Sequence, residues 1–121
     1  MLTGQVDDRL RSLIRVPLRA SQTGPLQEVV AWVYTAFDGG LTIPRTQIAS
    51  LGLSQKSSLE AVLADGQTVE LETFVCYLDW FGETYRLQVI ASDGAYPLLG
   101  TLLLSGRRLT IDYAAKSVEL M

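Results

Sequence analysis

Few side chains in this 121-residue sequence are equipped for chemistry. It contains no histidine, which removes Ser–His and Cys–His nucleophile pairs and any imidazole metal ligand. The single cysteine, Cys76, has no partner for an intrachain disulfide. It alternates with Phe74 and Leu78 in an apolar run and has no basic neighbour in sequence to lower its pKa, so it reads as a small buried hydrophobe. Carboxylates and hydroxyls remain. The densest grouping is Val33-Tyr34-Thr35-Ala36-Phe37-Asp38-Gly39-Gly40-Leu41-Thr42-Ile43-Pro44, in which an apolar run meets a turn of small residues and leaves through another apolar run. Asp38 beside Gly39-Gly40 reads first as a turn former accepting backbone hydrogen bonds. Asp93 in Ser92-Asp93-Gly94 and Asp112 read the same way, as turn and strand-end residues.

The elements that must position this turn are short strands with turn punctuation, the signature of an all-β domain. Ile14, Val16 and Leu18 alternate with Arg15, Pro17 and Arg19, which predicts a half-buried strand from about Ser12 to Ala20. The cluster Ser21-Gln22-Thr23-Gly24-Pro25 turns the chain, and a second strand, Leu26 to Thr35, delivers Tyr34 at its end. If that strand runs so far, residues 32, 34 and 36 share a face. Ile48, Leu51 and Leu53 around Gly52 predict one or two helical turns with Gly52 as the C-terminal cap. Two runs, Leu59 to Leu63 and Thr68 to Leu78, flank Asp65-Gly66, which predicts a hairpin with a type I′ turn. A further hairpin turns at Trp80-Phe81-Gly82-Glu83 and returns through Tyr85, Leu87, Val89 and Ala91. No repeat, low-complexity tract or linker divides the chain, so residues 1–121 are expected to form a single domain.

Composition is that of a globular protein, with 48% hydrophobic and 19% charged residues. A net charge of −3, with Arg107-Arg108 as the nearest thing to a basic cluster, gives no footprint for nucleic acid. No signal peptide or membrane span is evident, so a soluble cytoplasmic protein is the expectation, without cofactor or metal.

The segment Val33–Pro44 resembles the active-site turn of the retropepsin-like aspartic proteases. That family has a hydrophobic strand ending in Asp-Thr-Gly, then Phe or Ala, a small-residue turn and a Leu-Thr-Leu/Ile-Pro exit. The strand, Thr35, Phe37, the turn and the exit all match. Tyr34 stands at the position of the catalytic Asp, and Ala36 at that of the Gly. A second similarity is Tyr96-Pro97-Leu98-Leu99-Gly100-Thr101-Leu102-Leu103-Leu104, like the family's two-hydrophobics-plus-Gly element that braces the turn and leads into a short helix. The resemblance spans about Ser12 to Leu120.

It implies a closed β-barrel with one short helix, assembled as a homodimer because one chain carries one turn. It places the Asp65-Gly66 hairpin as a flap over an extended peptide, with Asp65, Gly66 and Gly100 lining or bracing the groove. Thr35 would bond across the two-fold axis. The family's chemistry needs two carboxylates about 3 Å apart sharing one proton. Two tyrosines would meet here instead, and a phenol with pKa about 10 is a poor base below pH 8. The resemblance therefore implies an aspartic endopeptidase homologue that is inactive as written. Ala at a backbone position that suits Gly is expected to cost on the order of 1 kcal/mol. Tyr34 and Trp32 are bulky for a crowded axis. Two other uses of the same frame are open: a peptide-binding groove without acids, with Trp32, Tyr34, Trp80 and Phe81 as aromatic contacts, and an assembly module built on Trp32, Tyr34 and Ala36.

Overall fold

The structure is a computed structural model that describes the backbone of residues 1–121 and every side chain except that of Leu59. Ten strands and two short helices follow in the order β1 (Leu2–Val6), β2 (Ser12–Arg19), β3 (Gln27–Val33), β4 (Leu41–Pro44), α1 (Arg45–Leu51), β5 (Ser54–Val62), β6 (Thr68–Trp80), β7 (Glu83–Ser92), β8 (Leu98–Leu99), α2 (Thr101–Leu104), β9 (Leu109–Asp112) and β10 (Ser117–Leu120). They form one sheet in the order β5-β6-β7-β4-β8-β3-β2-β1-β10-β9. A further pairing, Leu18 with Leu78 and Arg19 with Tyr77, joins β2 to β6 and closes six of the strands into a ring. The expected all-β barrel is therefore present.

Alternation decides what enters that ring. Ile14, Val16 and Leu18 of β2, Val29, Ala31 and Val33 of β3, and Cys76, Leu78 and Trp80 of β6 are buried against Leu41, Ile43, Val89 and Leu99. Pro17 has no N–H to give, and β2 has only β3 beside it at residues 15–17, because β1 pairs with residues 12–14 and β6 with 18–19. Helix α1 ends as predicted. Gly52 sits at φ +72° and donates to the carbonyls of Ile48 and Ala49, a left-handed cap that satisfies the last turn.

One turn expectation is corrected. The Asp65-Gly66 loop is not a two-residue type I′ turn. Leu63 N–H donates to Gln67 (2.7 Å) and Gly66 N–H to Leu63 (2.9 Å), so three residues form the loop. Only Gly66 needs positive φ (+86°), while Asp65 accepts from the Gln67 N–H. The type I′ geometry occurs one hairpin later, where Trp80 pairs with Glu83 across Phe81 (φ +51°) and Gly82 (φ +85°). A left-handed phenylalanine costs on the order of 1 kcal/mol. Its ring compensates by packing edge-on against Trp80 and under the Arg107 guanidinium, 3.7 Å from the ring centre.

The chain also has a strand at its beginning that local pattern did not indicate. Strand β1 pairs with β10 at the other end of the sequence as well as with β2, making a terminal sheet β2-β1-β10-β9. Strand β5 begins at Ser54, five residues before the expected Leu59, and pairs with β6 along its length except at Lys56, where the register shifts. The arm's base is fastened by a polar knot. Buried Thr73 donates to the Ser57 carbonyl, meets its hydroxyl and accepts from Gln88.

Candidate active-site turn

The turn between β3 and β4 is held from behind. Strand β8 lies between the two, parallel to β3 (Trp32 opposite Leu98, Val33 opposite Leu99) and antiparallel to β4 (Leu41 opposite Leu99). Strand β3 stops at Val33. Tyr34 N–H then donates to the Leu99 carbonyl at 2.9 Å, and Phe37 N–H closes the turn onto the Tyr34 carbonyl at 3.1 Å. The carbonyls of Phe37, Gly39 and Gly40 accept from the N–H groups of Thr101, Leu102 and Gly100. A Cβ on Gly100 would lie 2.2 Å from the Gly39 carbonyl oxygen and 2.6 Å from that of Phe37. That contact is why the two-hydrophobics-plus-Gly element ends in glycine.

The sequence-predicted site residues divide into two groups. Tyr34, Thr35 and Ala36 stand together, all exposed, on the outer surface of the braced turn. Gly100 lies behind them. Asp65 and Gly66 are at the tip of the β5–β6 arm, hydrogen-bonded within their own loop. Two details differ from expectation. Residues 32, 34 and 36 do not form a continued strand face, because the ladder ends at Val33. Ala36 is not among the residues at positive φ, so its backbone carries no left-handed strain. Asp38 is exposed on the turn, Asp93 pairs with Arg45 at 3.1 Å, and Asp112 accepts from Ala114 and Ala115 N–H, as turn and strand-end aspartates do. Of the aromatic candidates, Trp80 is buried and Phe81 belongs to its hairpin tip; only Trp32 accompanies Tyr34, ring centres 6.2 Å apart.

Tertiary structure adds residues that sequence reasoning did not single out. Arg11 reaches Trp32 at 6.0 Å and stacks over Tyr96 at 4.2 Å, and its Nε donates to Asp7 at 2.7 Å. Asp7 also accepts from the N–H groups of Arg11 and Arg9, and these bonds hold its carboxyl below the usual range. Arg11, Trp32, Ser92, Tyr96 and Leu98 line an open pocket of about 430 Å³ next to the Tyr34 turn. Nothing local marks Arg11, since its loop and Tyr96 are 85 residues apart in the chain (96 minus 11). No group of three His, Cys, Asp or Glu placed to hold a metal occurs among the described residues.

Cys76 is fully buried, and desolvation pushes its thiol up to about 12. The folded protein thus favours the neutral thiol. That stability is fully present below the unfolded thiol pKa of about 8.5 and is lost as pH rises through about 12. At pH 8 the native protein is expected to react with an aromatic disulfide reagent at least about a thousandfold more slowly than the denatured chain. Comparable rates in the two states would place the thiol at the surface.

Solved structures share the fold, among them the following two. A retropepsin-like aspartic protease from Rickettsia conorii superposes with a TM-score of 0.63 over 98% of this chain and 87% of its own, at 13% identity. The EIAV protease complexed with the inhibitor HBY-793 superposes with a TM-score of 0.54 over 78% of this chain and 85% of its own, at 15% identity. No family model matches the sequence, and no curated protein matches it. The barrel, with β8 between the two strands that flank the turn, is a retropepsin-like fold.

Proposed function

We propose that this chain is a retropepsin-like aspartic endopeptidase homologue without peptidase activity, its catalytic carboxylate replaced by Tyr34. The observation that carries this reading is the turn itself. Its brace is complete, from the Tyr34–Leu99 bond to the close approach of Gly100, while the exposed residue that follows β3 is a tyrosine. A braced turn holds its first residue in fixed geometry, as paired-acid catalysis requires, but a phenol there offers neither the base nor the acid. The active assembly would be a homodimer, with Thr35 bonding across the axis and the Asp65-Gly66 arm over an extended peptide. Its cellular location would be the cytoplasm; no helix among the described residues is long and apolar enough to cross a membrane.

A second reading is favoured by the pocket beside Tyr34. Its Arg11–Tyr96 stack and Trp32 wall suit an apolar side chain of a peptide held but not cut. Incubation with a quenched peptide library from about pH 3.5 to 7 tests the main proposal, because that range brackets paired-carboxylate catalysis. The expected result is no cleavage above the buffer blank. Cleavage that disappears in Tyr34→Phe would show that the phenol is catalytic and overturn it. Sedimentation over a range of concentrations tests the dimer.

A further inference from the structure

A second groove shares no residue with the pocket beside Tyr34, and its floor reaches the back of the turn, where Leu87, Leu102 and Leu103 converge on Gly40. It encloses about 360 Å³ between β7 and α2, and Tyr85, Arg86, Leu87, Leu102, Leu103 and Arg107 shape it. Leu102 is 61% exposed, while the next two leucines of its element turn inward. Two guanidinium groups flank this apolar floor. Neither Arg86 nor Arg107 has a carboxylate within 4.0 Å among the described residues. Arg107 is nevertheless fixed, flat on the Phe81 ring, which the left-handed turn presents to it.

The backbone beside the groove is also unpartnered. Because the Phe81-Gly82 loop has two residues, Trp80 and Glu83 exchange hydrogen bonds, and alternation directs the amides of Tyr85 and Leu87 at β6. Those of Thr84, Arg86 and Gln88 then point to the opposite edge. On that edge β4 pairs only with residues 90–92, so the stretch 84–88 has no strand beside it among the described residues. We infer that this edge and groove form a docking site for an extended acidic segment of a partner protein, one that alternates carboxylate and aliphatic side chains. Its backbone would lie along residues 84–86 of β7, beyond Gly40, which reaches Leu87. Aliphatic residues would fall on the Leu87 face against Leu102 and Leu103, and carboxylates on the Arg86 face and toward Arg107, since neighbouring strand residues point to opposite sides. In a protein of net charge −3, two unpaired arginines on an apolar edge select for an acidic partner.

The test titrates the full-length protein with fluorescent Ac-Glu-Leu-Asp-Leu-Glu-amide and its lysine counterpart, reading anisotropy and amide shifts by NMR. The acidic peptide is expected to bind, to weaken with salt, and to shift the amides of Arg86, Leu102 and Arg107. Arg86→Glu with Arg107→Glu should lower that affinity at least tenfold and admit the lysine peptide. Leu102→Glu, at an exposed position that does not threaten folding, should also lower it at least tenfold. Equal binding of both peptides, no binding of the acidic peptide, or shifts confined to Trp32, Tyr34 and Tyr96 would each overturn the site. So would binding to vesicles of anionic lipid in place of the peptide.

Discussion

Tyr34→Asp combined with Ala36→Gly is expected to turn this chain into an acid-range peptidase, with a rate at least about a thousandfold above the unaltered protein. In a two-fold dimer the substitution brings one carboxylate from each subunit to the axis. Held about 3 Å apart, they cannot both ionise, so one remains a carboxylic acid while the other activates water. The pH profile should be bell-shaped, since both forms of the pair are required together. The structure also divides the effect between the two positions. Ala36 is free of left-handed strain, so Tyr34→Asp alone should deliver most of the gain and Ala36→Gly little. The decisive experiment measures cleavage of the peptide library by the single and double variants, with dimerisation followed by sedimentation. A folded, dimeric double variant that cuts nothing would falsify the view that only the acid is missing. The frame would then be a binding or assembly device in its own right.

Gly100→Ala is expected to lower stability by about 2–4 kcal/mol, an overpacking cost at the upper end of its range because backbone rather than side-chain atoms must give way. The new Cβ would sit 2.2 Å and 2.6 Å from the carbonyl oxygens of Gly39 and Phe37. Both carbonyls already accept from the segment that follows Gly100, so moving them loosens the Thr101 and Leu102 bonds as well. For a domain of this size the fall in melting temperature should be roughly 10 °C. Gly66→Ala is the control. That residue sits at φ +86° with nothing within 4 Å of its would-be Cβ, so its cost is conformational alone, about 1 kcal/mol. Equal losses from the two variants in thermal unfolding would remove the brace from the account of the site.

Much of the fold around the candidate turn was legible because its signals are local. A period of two marked β2 and β7, and turn residues marked the ends of β2 and β6. Gly52 declared its helix cap, and the resemblance of Leu98-Leu99-Gly100 to the family's bracing element implied a close backbone approach. Cys76 was assigned to the interior by its apolar alternation, and its burial bears that out. Other features had no local signal. Strand β1 contains a glycine and only two apolar residues, and it is a strand because β10, more than a hundred residues later, offers it a ladder. The polar opening of β5, Ser54-Gln55-Lys56-Ser57-Ser58, is extended because β6 runs beside it. The Asp65-Gly66 loop shows the limit of turn dipeptides. The dipeptide promises positive φ at the glycine, but the register of the flanking strands sets the loop length and hence the turn type.

By itself the sequence determined the all-β character, the two elements that build the turn, and the tyrosine that opens it. These depend on residue identity and on neighbours a few positions away. Only the tertiary structure decided that Ala36 is unstrained, that Arg11 and Tyr96 stack beside Trp32, and that Arg86, Leu102 and Arg107 share a groove. Those facts depend on which distant strands meet and in what register, and that is fixed by closure of the barrel rather than by any local stretch of chain.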